Sequence, residues 1–315
     1  MPTRLSAIAL ILFTLSAAAI ARAQAQASDI SIPAWIDGSA CSTAPRFDPT
    51  LNGKPAHVSA EMGPGSDQVI LIVLDLTGNL SRIDAAKAAL AADIPKLPQN
   101  AWVGLLRAQD GLHVLDDPTP DRQKVIDTIN SLASSGTPGL LETVRMSLSL
   151  ADAMVRKSRA RVAVLYITDG SIYNYQEDYT DPVINPSDPH DLSRRFPDVL
   201  IDEKISKLER HISSLEAPLF VVHLDYRQDN LNMAYQNGLE SLASATGGDA
   251  AMCHSLAEIP DVISTVFDRI KNTWRLTLAV PPKEHNSHLQ VGLRASCGSG
   301  NLPVSWRTHF HLKGE

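Results

Sequence analysis

Two aspartates stand where a binding site is most easily built. Asp75 closes the aliphatic run Val-Ile-Leu-Ile-Val-Leu at residues 69–74, and Asp169 closes Arg-Val-Ala-Val-Leu-Tyr-Ile-Thr at residues 161–168. Continuous runs of this kind fit strands buried on both faces, as in a parallel sheet. In open α/β sheets, ligand sites form at the carboxyl ends of such strands. Two carboxylates converging there repel each other unless a proton or a cation intervenes. Three neutral oxygen side chains are candidates to join them. Thr77 and Asn79 follow Asp75 on alternate residues of one loop, and Thr137 lies in the Gly-flanked loop at residues 134–139. Asp, Thr and Asn oxygens are hard donors, and with waters they suit octahedral Mg²⁺ (or Mn²⁺) better than zinc. The same residues also fit a metal-free arrangement, with Asp75 and Asp169 accepting from backbone amides and Thr137 capping a helix.

The elements that must position these residues alternate. Residues 81–94 repeat apolar positions at helical spacing and stop at Pro95. Residues 102–106 form a second strand, with 113–115 as a short antiparallel partner, and 121–132 and 140–157 form helices. After the strand ending at Asp169 come a polar stretch (173–198), a helix (200–215), a strand (218–224), a helix (231–246) stopped by Gly247-Gly248, an edge strand near 250–253, and a helix from about 258 to 272. Strand and helix alternating over 69–272 predict an α/β fold: a central, mostly parallel sheet with helices on both faces. Residues 273–315 alternate apolar and polar positions between Pro and Gly punctuation, which predicts a small C-terminal antiparallel β extension. Residues 24–68, rich in Ala, Ser, Pro and Gly, read as a flanking segment.

Three loops together resemble the von Willebrand factor A domain. Residues 73–80, Val-Leu-Asp-Leu-Thr-Gly-Asn-Leu, resemble its opening Asp-x-Ser-x-Ser motif. Residues 134–137, Ser-Ser-Gly-Thr, resemble the second loop, which supplies a Thr, and Tyr-Ile-Thr-Asp-Gly at 166–170 resembles the third. Leu-Ala-Ser-Ala-Thr-Gly-Gly at 242–248 looks like the family's late helix-to-edge-strand turn, and the strands from Trp274 resemble those appended in bacterial exported members. The resemblance covers 69–272 and implies a Rossmann-like fold with a metal-ion-dependent adhesion site at Asp75, Thr77, Asn79, Thr137 and Asp169. It further implies Mg²⁺ (or Mn²⁺) as the ion and a protein partner that offers a carboxylate to it. Thr77 keeps the hydroxyl of the family's Ser; Asn79 replaces the second Ser with a longer amide.

Other features bound the function. Residues 1–23 have a charged start, an apolar middle and Ala-Arg-Ala at the end, the pattern of a cleaved signal peptide, so export to the periplasm or the medium is expected, with no membrane span in the mature chain. The net charge of −7 disfavours nucleic acid as a partner. Cys41, Cys253 and Cys297 are odd in number; Cys41–Cys297 is the expected pair, both lying in flanking segments. Tyr173, Tyr175 and Tyr179, with Glu177, Asp178 and Asp181, form either a partner-selecting rim or a solvated insertion. His285/His288 and His309/His311 read as an exposed strand face, since no Cys or acid completes a zinc set. A binding module is favoured over an enzyme. No Gly-x-Ser-x-Gly elbow or phosphate-cradling Gly-rich loop is present, and a haloacid-dehalogenase-like phosphatase would want an acid where Thr77 stands. A metal-free scaffold of the cell envelope is the alternative.

Overall fold

The structure is a computed structural model that describes residues 29–36, 44–174, 197–281 and 288–311. The expected signal peptide, and Tyr175, Glu177, Asp178, Tyr179 and Asp181 of the expected rim, lie outside the described residues.

The central sheet is built from β5 (Gln68–Asp75), β6 (Ala101–Arg107), β7 (His113–Thr119), β8 (Arg161–Thr168), β9 (Leu219–His223) and β10 (Asp249–Met252). Its order is β10-β9-β8-β5-β6-β7, parallel except for the antiparallel edge strand β7. Alternate side chains of β5 feed the two faces. Ile70, Ile72 and Leu74 enter one core, packed with α1 (Leu80–Asp93), α2 (Arg122–Ser131) and α6 (Ile259–Lys271). Leu71 and Val73 enter the other, packed with α3 (Leu140–Lys157), α4 (Pro197–Ile212) and α5 (Asn230–Ala245). Burial on both faces is what the aliphatic runs in the sequence encode.

The flanking segments differ from expectation in extent. Residues ahead of the sheet form β1 (Asp29–Ile36), β2 (Arg46–Leu51), β3 (Lys54–Pro55) and β4 (Val58–Met62). The C-terminal segment forms β11 (Thr273–Ala279), β12 (His288–Cys297), β13 (Gly300–Leu302), β14 (Val304–Trp306) and β15 (His309–His311), and β1, β2 and β4 pair with its strands. One sheet runs β14-β1-β11-β4; the other runs β13-β12-β2-β3, with β15 also on β12. Their inner faces share a third core that includes Ile30, Ile32, Phe47, Leu276, Leu278, Val291 and Phe310. The C-terminal strands are therefore half of a β-sandwich whose other half comes from before the α/β domain. Cys253 is free and buried, while Cys297 is disulfide-bonded; Cys41, its expected partner, lies outside the described residues.

The sandwich is clamped to the amino-terminal edge of the central sheet. Arg161 donates from Nη1 to the carbonyls of Lys271 and Thr273 and from Nη2 to those of Pro64 and Ser66. Arg307, in the turn between β14 and β15, is buried and donates to the carbonyls of Ile212, Ser213 and Leu215 at and just beyond the C-terminus of α4. A cation at a helix C-terminus is met by unsatisfied carbonyls and by the negative end of the helix dipole.

Candidate functional site

Chain order reverses between β5 and β8. β5 leads outward to β6, and the chain returns to place β8 on β5's other side, with Asp75 registered against Thr168. This switch point opens a crevice at the strands' carboxyl ends. Asp75, the last residue of β5, and Asp169, the first after β8, face it and are both buried.

Each carboxylate is held by backbone amides. Asp75 Oδ1 accepts from Gly139 N at 2.9 Å, and Oδ2 accepts from Leu140 N at 3.0 Å, Tyr166 Oη at 2.9 Å and Thr168 Oγ1 at 3.4 Å. Gly139 is the N-cap of α3 and has no side chain to do this work, so Asp75 caps that helix from the neighbouring strand. Bringing these amides round requires a positive φ of 42° at Leu140. Asp169 is treated likewise by the first loop. Its Oδ1 accepts from Thr77 N at 2.9 Å, and its Oδ2 from Gly78 N at 2.8 Å and Asn79 N at 3.0 Å. A Cβ at position 78 would lie 2.8 Å from Asp169 Oδ2, which explains the glycine.

Electrostatics at the site follow from burial. Desolvation pushes the Asp75 carboxyl above its usual range against the lowering effect of the Gly139 and Leu140 amides, and the charge of Asp169 adds to the rise. Asp169 is also raised by burial, opposed by the three amides of the first loop. Burial, followed by the Asp75 charge, lifts the Tyr166 phenol well above its ordinary value. No cationic side chain donates to either carboxylate among the described residues. The donors are neutral, so negative charge remains uncompensated in a low-dielectric crevice.

The five expected site residues take different roles. Asp75, Thr77 and Asp169 are brought together directly. Thr77 Oγ1 is buried without a hydrogen-bond partner. Thr137 is exposed and its loop is fixed by Asp110, whose Oδ1 accepts from Thr137 N at 2.8 Å and whose own N–H donates to Thr137 O at 2.9 Å. Asn79 faces elsewhere: its Oδ1 accepts from Ser81 N at 3.0 Å and Arg82 N at 3.4 Å, as the N-cap of α1. Tyr173 is exposed, and its hydroxyl hydrogen-bonds Asp229, which raises the phenol's pKa. Sequence reasoning missed Asp110 and Tyr166. Tyr166 sits two residues before the strand's end, on the same side as Thr168, and that period-2 relation was the available signal.

Residues 58–171 match the family described as von Willebrand factor type A domain. Over these residues the chain is similar to that domain, and its α/β fold is of the same type. The match spans β4 through β8 and so contains all three loops of the site. None of the curated proteins matches. Solved structures that resemble the chain include a von Willebrand factor type A protein from Catenulispora acidiphila, 11% identical, covering 90% of this chain and 72% of that one, with a TM-score of 0.45. The ArnB paralog VWA2 from Sulfolobus acidocaldarius is 9% identical, with 91% and 76% covered and a TM-score of 0.43. The vWF domain of the type V pili tip protein Mfa5 from Porphyromonas gingivalis is 15% identical, with 64% and 95% covered and a TM-score of 0.39. These are likenesses of outline. The likeness to an A domain rests on the sequence match over 58–171 and on the doubly wound sheet.

Among the described residues no group of three or more His, Cys, Asp or Glu forms a metal cluster, and no helix is long and apolar enough to cross a membrane. A site of the A-domain type depends on hydroxyls as well as carboxylates, so the fit must be judged from oxygens. A carboxylate has about four lone-pair positions. Oδ1 of Asp75 and Oδ1 of Asp169 each carry a single hydrogen bond. Spare acceptor capacity on two buried carboxylates, with an orphaned Thr77 Oγ1, suits a hard cation. Asn79 does not fit as a ligand while it caps α1.

Proposed function

We propose that the A domain is a protein-binding module, exported to the periplasm or the medium, that takes Mg²⁺ or Mn²⁺ at Asp75, Thr77, Thr137 and Asp169 and docks a carboxylate of its partner. The orphaned Thr77 Oγ1 carries this reading. A buried hydroxyl left unpaired costs about 1–3 kcal/mol, and a bound cation would remove that cost. It would also offset the repulsion between Asp75 and Asp169. Few direct carboxylate ligands would leave the ion electrophilic enough to attract an external acid. Asn79 contributes by holding α1 rather than by binding the ion. Binding rather than catalysis is the role proposed.

A specific observation favours a second reading, the metal-free scaffold. The amides of Thr77, Gly78, Asn79, Gly139 and Leu140 already hold both carboxylates. Calorimetric titration of the full chain with Mn²⁺ and Mg²⁺ separates the two. The adhesion reading expects heat of binding in the wild type, lost in Thr77→Ala and Asp75→Ala and retained in Asn79→Ser. A wild type that takes up neither ion leaves the scaffold.

A further inference from the structure

Of the histidines singled out in the sequence, His285 lies outside the described residues, while His288 and the pair His309/His311 meet in the sandwich. β12 and β15 are antiparallel, with His288 directly opposite His311 and Gln290 opposite His309. Leu289 and Phe310, the residues between, are buried in the sandwich core, so the histidines share the outer face. Directly opposed residues of an antiparallel pair have Cβ atoms about 5 Å apart. The rings of His288 and His311 stack with centroids 4.6 Å apart and planes tilted by 35°. His309, two residues from His311, lies on the same face with its Nδ1 2.9 Å from Thr308 Oγ1.

The pair has an unmet valence. His311 Nδ1 is buried with no hydrogen-bond partner. A neutral imidazole has one N–H and one lone pair, and each needs a partner when buried. The backbone beneath it is fixed, because His311 N donates to Ser213 O at 3.1 Å. β15 is thereby pinned both to β12 and to the segment after α4. The two rings are held side by side by main-chain bonds rather than by each other.

We infer that His288 and His311 form a bis-imidazole site for a transition-metal dication, bound most tightly as copper(II), with water completing the coordination. Imidazole nitrogen suits Cu²⁺, Ni²⁺ and Zn²⁺, and affinity at such a site rises toward copper. Mg²⁺, which demands oxygen, does not compete. The site lies on the sandwich and is independent of the carboxylates of the A domain. A bound ion would bridge β12 to β15 and reinforce the seam that β15 makes with α4.

Metal-free full-length chain, titrated with CuCl₂ and with NiCl₂ by calorimetry, tests this. The wild type should bind both, copper more tightly. His288→Ala and His311→Ala should each weaken binding by at least the ~10-fold that even outer-shell changes cost. His113→Ala, at an exposed histidine of β7 outside the sandwich, should leave it unchanged. His288 is exposed, so its variant reports on the ligand without disturbing the core. Circular dichroism of the His311 variant checks that the sandwich remains folded. Copper binding of wild-type strength in His288→Ala, or an equal loss in His113→Ala, overturns the assignment.

Discussion

The two ends of the central sheet bury charge in opposite ways. At the carboxyl ends of the strands, Asp75 and Asp169 are met by backbone N–H groups. At the amino ends, Arg161 and Arg307 are met by backbone carbonyls. In both places the main chain supplies the partners, but the outcome differs. A guanidinium spreads its charge over five donors, and both terminal nitrogens of each arginine find carbonyl acceptors, although Arg161 Nε is left without one. That end is a clamp. The carboxylates retain acceptor capacity and sit beside an orphaned hydroxyl. On the proposed function, that end would be completed by a cation.

The sharpest way to break the comparison is to remove an arginine. Arg307→Ala would orphan the carbonyls of Ile212, Ser213 and Leu215 and leave a cavity in the seam. At about 1–3 kcal/mol per unsatisfied buried group, and with solvent rescuing some, the chain should lose roughly 3–5 kcal/mol. Urea denaturation measures the loss, and Mn²⁺ titration of the surviving folded fraction should be unaltered. An equal loss of stability from Asp75→Asn would mean that the two ends are equally committed to structure.

The difference between the ends also explains what the sequence could announce. The A-domain strands were legible because burial on both faces leaves an unbroken aliphatic run, as at 69–74, and Asp75 and Asp169 were legible because each ends such a run. Of the sandwich, only the C-terminal half was. β1 pairs with β11 across more than two hundred residues, and β1 and β2 carry Pro33 and Pro49, which argue against strands when read locally. Only the alternation of Ile30, Ile32 and Ala34 hinted at a strand. Within the site, the resemblance assigned Asn79 to the ion, whereas its position just before a helix fits a cap. In this structure its Oδ1 accepts from Ser81 N and Arg82 N.

Acid should act on the open end. His223, at the end of β9, is buried, and its Nε2 lies 3.0 Å from Gly170 O while Asp225 N donates to Nδ1. The ring is therefore neutral with its proton on Nε2. Burial lowers its pKa from 6.5 to about 4, against the raising effects of Gly170 and Asp225. The folded state then binds fewer protons than the unfolded state between these values. The stabilisation is complete above pH 6.5, declines as pH falls, and is gone by about pH 4. The shift corresponds to about 3 kcal/mol at most. Urea midpoints measured from pH 7 to pH 4 should fall less steeply in His223→Gln, which keeps a donor for Gly170 but does not titrate. Parallel slopes would remove His223 as the cause.

The smallest effect sharpens the comparison most, because it separates holding a helix from holding an ion. Asn79→Ala removes the cap of α1 and should cost about 1 kcal/mol. The Asn79 amide, which is main chain, still reaches Asp169 Oδ2, so the first loop keeps its grip on that carboxylate. Mn²⁺ affinity should accordingly stay within about threefold of wild type. Gly at this position should cost only a few tenths of a kcal/mol, as glycine is itself a tolerated cap. If Asn79→Ala instead abolished Mn²⁺ binding at unchanged helix content, the side chain would have to leave α1 when the ion arrives. The open end would then be a switch in which α1 and the cation compete for one amide oxygen, rather than a fixed set of oxygens awaiting an ion.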